Sequence, residues 1–176
     1  MRKMVFFVKS SGEKPVCPFC RTELIYRDSR KRIYKQEGGT KEHIRIRRLK
    51  CPTCECLHNE LPDVLVPYKH YAAEVICGVI DEVITGDDLD SEDYPCFLTM
   101  YRWVCWLRIN LERIEGYLRN AAFTLLMPGS DILNADSRLL DLLREKYSNW
   151  LERMLRIIYN SGGFLVPYRG KGLHLL

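Results

Sequence analysis

Apolar and polar positions alternate with period two over residues 43–47. Ile44 and Ile46 fall on one face of a predicted strand, Arg45 and Arg47 on the other. The alternation breaks at Arg48-Leu49, which predicts a bulge or a twist. Residues 24–28 and 32–34 predict a neighbouring strand, with a turn at Gly38-Gly39 between the two. Residues 3–9 predict a further strand along one edge. Pro62 and Pro67 exclude a regular helix from the intervening run, which reads as an extended linker.

From residue 68 the period changes. Tyr68, Tyr71, Ala72, Val75, Ile76, Val79, Ile80 and Val83 recur at helical spacing and predict a helix over 68–84, ended by Thr85-Gly86-Asp87-Asp88. A second helix is predicted over 100–108, with Thr99 as its candidate cap. The pattern continues over 110–126 through Leu111, Ile114, Leu118 and Ala122, and Pro128-Gly129 stops it. Ser130 or Asp131 opens a further helix, with Leu133, Leu139, Leu140 and Leu143 on its apolar side. The last helix is predicted over 148–159, with Asn160-Ser161-Gly162-Gly163 as its C-cap. Residues 164–168 read as an extended piece docked on the body, and 169–176 as a frayed end.

Cysteine spacing adds chemistry. Cys17-Pro18-Phe19-Cys20 and Cys51-Pro52-Thr53-Cys54 are two Cys-x-x-Cys pairs thirty residues apart. A two-residue spacer lets both sulfurs of a pair reach one ion, and four soft ligands suit tetrahedral Zn²⁺. Cys17, Cys20, Cys51 and Cys54 are the expected zinc ligands, and Cys56 and His58 stand close enough in sequence to replace one. Cys77, Cys96 and Cys105 lie in apolar helical surroundings and read as core residues. The resulting fold is α+β: a small N-terminal β zinc ribbon over 1–67, then an all-α helical domain over 68–176. Within the latter, residues 68–109 suggest a helix-turn-helix-like unit, followed by further helices over 110–160 and an extended tail.

Charge is uneven along the chain. Residues 1–70 hold 16 Lys+Arg against 8 Asp+Glu, and residues 71–176 hold 11 against 15. A basic head on a mildly acidic body suggests a head that meets phosphate. Candidate contacts are Arg32, Arg45, Arg47, Arg48 and Lys50 on the ribbon, and Arg102 and Arg108 on the helix after Thr99. The acidic run at Asp81-Glu82 and Asp87-Asp88 is explained by helix-end and turn chemistry. No apolar run approaches the ~18 residues of a membrane span. The N-terminal apolar run is too short for a signal peptide, which makes a cytoplasmic location the expectation. No phosphate loop, dinucleotide fingerprint or nucleophile elbow is present.

Cys17 to Cys20, then Arg47-Arg48-Leu49-Lys50 into Cys51 to Cys54, then His58 and the run Leu61 to Tyr68, together resemble an uncharacterised bacterial zinc-ribbon family associated with transposons. That family is similar to the N-terminal zinc ribbon of insertion-sequence transposases. The stretch Thr99-x-x-Arg102-Trp103 resembles the helix-turn-helix that follows the ribbon there. The resemblance implies DNA binding, with the knuckle cysteines as metal ligands. The chain departs from those transposases after residue 110, where too few residues follow to make their nuclease domain.

The expectation is therefore a non-enzymatic, zinc-dependent protein that binds double-stranded DNA, in transposition or regulation. The alternative is an adaptor that docks a transposase, recombinase or polymerase subunit. An enzyme working through the metal is disfavoured, because four cysteines leave no open coordination position.

Overall fold

The computed structural model describes residues 5–9, 12, 14–36, 39–85, 95–126 and 138–170. In chain order its elements are β1 (Val5–Lys9), β2 (Ile25–Lys35), β3 (Lys41–Lys50), β4 (Leu57–Pro62), α1 (Ala73–Ile80), α2 (Phe97–Leu126), α3 (Leu139–Lys146) and α4 (Trp150–Asn160). The class is α+β. The strands form one mixed sheet in the order β1-β4-β3-β2. β2 and β3 make a long antiparallel hairpin, β4 runs antiparallel to β3, and β1 lies parallel to β4. The irregularity expected at Arg48-Leu49 is taken up by the partner strand, where the register shifts between Tyr26 and Asp28.

Period two decides what each face of the sheet meets. Phe6, Val8, Ile46 and Leu61 turn to the helices and share one core with Val75, Ile76, Trp103, Trp106, Ile114, Trp150, Met154 and Ile158. Residues expected to make two domains thus bury a common core. Leu49 points the other way and packs with Cys17, Leu24 and Cys51 in a second, much smaller cluster. The two cores lie on opposite faces of the same sheet.

Helix α1 is shorter than its periodicity suggests, because β2 takes the backbone groups the extra turn would need. Lys35 N donates to His70 O at 2.8 Å, and Ala72 N donates to Lys35 O at 2.8 Å. Tyr68 and Glu82, at φ 63° and 60°, mark breaks on either side. Val83, expected on the buried stripe, is 77% exposed. Helix α2 merges the two helical runs expected over 100–126. It begins at Phe97, so Thr99 lies inside its first turn and Cys96 O accepts from Met100 N at 3.2 Å. The expected helix start at Ser130 or Asp131 and the acidic turn at Asp87-Asp88 lie outside the described residues.

Two asparagines, buried Asn110 and half-buried Asn160, complete the body. Asn110 in α2 binds both backbone groups of Val166, its Nδ2 donating to Val166 O at 2.9 Å and its Oδ1 accepting from Val166 N at 2.8 Å. This docks the extended piece after α4. Asn160 does the same for Val8 on β1, with both bonds at 2.8 Å, so the outer edge of that strand is covered. Helix α4 then ends as expected. Gly162 (φ 85°) and Gly163 donate to Tyr159 O and Ile158 O at 3.2 and 2.8 Å, closing the last turn. A Cβ on Gly163 would stand 2.5 Å from the Tyr117 ring and 2.8 Å from Ile158 O, so no larger residue fits there.

Gly116 lies exposed within α2, and an added Cβ would meet nothing within 4 Å. Gly116→Ala is expected to raise the unfolding free energy by about 0.5–1 kcal/mol in a urea titration, chiefly by restricting the unfolded chain.

Candidate metal centre

Each Cys-x-x-Cys pair folds into the same turn. Arg21 N donates to Cys17 O at 2.8 Å, and Glu55 N donates to Cys51 O at 3.0 Å. Each turn closes with a residue in the left-handed region, Arg21 at φ 59° and Glu55 at φ 58°. Outside the turns, Cys17 N donates to Thr22 O at 2.8 Å and Cys51 N to Cys56 O at 3.0 Å. The prolines after Cys17 and Cys51 fix φ at the first turn position. The Thr22 and Thr53 hydroxyls bond each other across the pair of turns at 3.0 Å. One turn leads into β2 and the other joins β3 to β4, so the site ties together the base of the hairpin.

The four sulfurs of Cys17, Cys20, Cys51 and Cys54 all lie within 4.8 Å of one another. Cys17 Sγ and Cys54 Sγ are 3.7 Å apart. A tetrahedron with metal–sulfur bonds of about 2.3 Å has an edge of about 3.8 Å. The spacing therefore fits one tetrahedral ion and is far too long for a disulfide bond. Cys17 and Cys51 are buried, while Cys20 and Cys54 reach the rim.

Electrostatics support the same reading. Cys54 is lowered to about 6, first by the backbone N–H of Cys56 on its sulfur. Cys20 is pushed up to about 12, first by its hydrogen bond with Cys54 and then by burial. Burial raises Cys17. Without a cation, one thiolate suppresses ionisation of its neighbours. A divalent ion at the centre removes that conflict and lets all four sulfurs coordinate as thiolates. These four cysteines could hold a metal ion.

Cys56 and His58, the open alternatives from sequence, stand outside this set. Cys56 is raised first by its hydrogen bond with Cys54. His58 is fully buried on β4, pairs in register with Leu49, and has neither ring nitrogen hydrogen-bonded among the described residues. Burial lowers its pKa and keeps it neutral. Its ring lies 6.4 Å from that of Phe19, which ties the first turn to the sheet. Pro18 and Phe19 also flank the Gly162 turn of α4, so the site touches the helical body there.

The expected phosphate contacts divide into two groups. Arg47 makes a two-pronged pair with buried Glu60, its Nη2 donating at 2.7 Å. Arg48 makes the same kind of pair with Asp28, its Nη2 donating at 2.6 Å. Lys50 Nζ is 2.9 Å from Glu55. Arg32 Nη2 donates to the carbonyls of Val66 and Lys69. These four side chains are thus engaged within the chain. Arg45 is exposed and faces Lys31 across the hairpin; Arg30, next to Lys31 in β2, is exposed too but pairs in register with Ile46 and so points to the other face. None of Arg30, Lys31 and Arg45 forms an ion pair among the described residues. Arg102 and Arg108 are exposed on α2. The segment between α1 and α2 runs from residue 81 to 96. That is longer than the about 3–4-residue turn of a helix-turn-helix.

Asp81 is a structural hub rather than a turn residue alone. Its Oδ1 accepts from Arg144 at 2.6 Å and its Oδ2 from Trp150 Nε1 at 2.8 Å. Burial and the neighbouring Asp81 push Cys77 up to about 12. Cys77 is buried as expected, whereas Cys96 is exposed. Glu115, buried in α2, accepts from Leu139 N and Leu140 N at 3.0 and 2.8 Å and so caps α3. The sequence offers no local signal for these long-range partners. Among the described residues, no helix is long and apolar enough to cross a membrane.

Residues 17–103 match the profile of a domain family of unknown function (DUF6431). The match begins at the first cysteine of the cluster and ends in α2. No curated protein and no solved structure matches the chain.

Proposed function

We propose that this chain is a non-enzymatic, zinc-stapled protein that binds double-stranded DNA through the β2–β3 hairpin. The carrying observation is the pair Lys31 and Arg45, exposed on one face of the hairpin with no ion pair among the described residues, together with a metal site at the hairpin's base that would leave no open coordination position. The zinc fixes the base of the hairpin, and the cations on its exposed strands track phosphate. The resemblance to transposase ribbons supports a transposon-associated or regulatory role. Arg102 and Arg108 offer a second contact from α2, in a geometry unlike the short-turned helix-turn-helix.

Anisotropy titration against a labelled duplex at several salt concentrations tests this. Each lost phosphate contact lowers the slope of log K against log salt by about 0.9. Lys31→Ala and Arg45→Ala are expected each to do so without loss of stability. Arg47→Ala is expected to leave the slope unchanged and to cost stability, because Glu60 loses its bidentate partner. An absence of binding at low salt would overturn the reading.

A second reading, a protein-docking adaptor, is favoured by one surface. Near its start α2 exposes Phe97 (61%), Leu98 (41%) and Tyr101 (37%). An apolar strip of this kind suits a protein partner such as a transposase or polymerase subunit better than it suits phosphate. Substituting Phe97 and Tyr101 with serine would abolish partner capture under this reading and leave duplex affinity intact.

A further inference from the structure

Phe6, Arg30, Lys31, Arg32, Tyr68 and His70 line a cleft of ≈ 370 Å³. That is near the lower end of the about 300–1,000 Å³ typical of small-ligand sites. It is the size of a single nucleotide unit rather than a duplex.

The aromatic wall is presented, not packed away. Tyr68 meets buried Phe6 edge to face, with ring centroids 5.1 Å apart, and still leaves 55% of its surface in solvent. Its backbone stands in the left-handed region at φ 63°. That conformation costs a non-glycine residue about 1–2 kcal/mol. Hydrogen bonds on both sides hold it there: Lys69 N donates to Val66 O at 3.1 Å, and Lys35 N donates to His70 O at 2.8 Å.

Positive charge collects along the same flank. Arg30 and Lys31 are exposed, and Arg32 is fixed by the Val66 and Lys69 carbonyls. Lys69 extends its ammonium over the Trp106 ring at 4.8 Å. None of the four has a carboxylate within 4.0 Å among the described residues. Burial, and then the charge of Arg30, lowers Arg32. Burial lowers Lys69 to about 8. Partly desolvated cations without a counter-charge are stabilised when an anion arrives. An aromatic face beside such cations is the pairing that single-stranded nucleic acid uses, with the base on the ring and the phosphate on the cations.

We infer that this cleft binds one unpaired nucleotide of a DNA strand, with its base stacked on Tyr68 and its phosphate on Arg30 and Arg32, which point to the same face of β2. The inference rests on the nucleic-acid reading above and adds a single-strand subsite to it. Such a subsite gives the protein a preference for frayed or recessed DNA ends over continuous duplex.

The experiment titrates the full chain with a labelled oligothymidylate and, separately, with a labelled blunt duplex. Tyr68→Ala is expected to weaken oligothymidylate binding by about 5- to 150-fold and to leave duplex affinity unchanged. Tyr68→Phe is expected to bind as the wild type does. In Tyr68→Trp, the added indole emission is expected to be quenched as the base stacks, a readout that a purely structural role would not move. Thermal melts confirm that each variant is folded. If Tyr68→Ala binds oligothymidylate as tightly as the wild type, or the indole of Tyr68→Trp is unquenched at saturation, the subsite is refuted while duplex binding stands. If the wild type binds neither probe at low salt, the nucleic-acid reading and the subsite fall together.

Discussion

Cys51→Ser is expected to destabilise the protein by about 4 kcal/mol or more and to abolish stoichiometric metal binding. The small core behind the metal site has little else to hold it. Besides the cysteines, Leu24 and Leu49 are its only buried apolar side chains among the described residues. Two buried leucines contribute about 3–6 kcal/mol between them. Ordering the two turns costs about 1–2 kcal/mol of backbone entropy for each residue fixed, so the leucines alone do not suffice. A metal ion held by the four cysteines would supply the difference, since ligands brought together by folding turn binding free energy into folding free energy. The main core lies on the other face of the sheet, so the loss has a distinct pattern. Helical circular dichroism is expected to persist after chelation, while Cys17 and Cys51, buried in the loaded protein, become reactive towards a thiol reagent. Amide exchange is expected to rise over residues 15–24 and 51–58 and to stay slow in α2 and α4. Metal analysis is expected to give one zinc per chain. A purified protein with no bound metal, or a Cys51→Ser variant with an unchanged melting midpoint, would refute the site.

The parts of this fold that sequence makes legible are those written in local spacing. The Cys-x-x-Cys turns impose their own geometry, and the alternation of Ile44, Arg45, Ile46 and Arg47 assigns the two faces of β3 correctly. The Gly162-Gly163 stop works because a helix C-cap is a local device. What remains hidden depends on partners distant in the chain. Arg47 and Arg48 look like a phosphate row, yet their side chains are held by Glu60 and Asp28 on neighbouring strands. Nothing in the alternation distinguishes a cation facing solvent from one facing a cross-strand carboxylate. Lys31 gains weight because its register partner is Arg45 and no carboxylate meets it among the described residues. The start of α1 moves from Tyr68 to Ala73 because the end of β2 competes successfully for backbone groups that helical periodicity assigns to a helix. Asn110 reads as the start of a helical run and Asn160 as part of a helix C-cap, although each also bonds both backbone groups of a distant extended residue.

Asp81→Ala is expected to cost about 2–4 kcal/mol, the range for leaving partly buried donors and a cation without their common acceptor. The carboxylate sits just past the end of α1 and binds Arg144 of α3 and the Trp150 indole at the start of α4. Trp150 is 1% exposed. Its N–H therefore loses its acceptor in a buried position once Asp81 is gone. The Arg144 guanidinium also lies over the Trp150 ring at 5.3 Å, so it loses its anchor as well as its charge partner. Asp81→Asn keeps an oxygen for the indole but not the charge for Arg144, and its cost should fall between wild type and alanine. Trp150→Phe removes the indole donor while filling most of the same space. If Asp81 acts through that hydrogen bond, the two substitutions together cost less than their sum, with a coupling of about 0.5–3 kcal/mol in a double-mutant cycle. The effect should be confined to the junction of α1, α3 and α4: metal content and the salt slope set by Lys31 and Arg45, which involve none of these side chains, are expected to be unchanged. Urea titrations of the four proteins, read by far-ultraviolet circular dichroism, measure the cycle. An Asp81→Ala variant as stable as the wild type, or a coupling indistinguishable from zero, would show that the three helices are held by apolar packing alone.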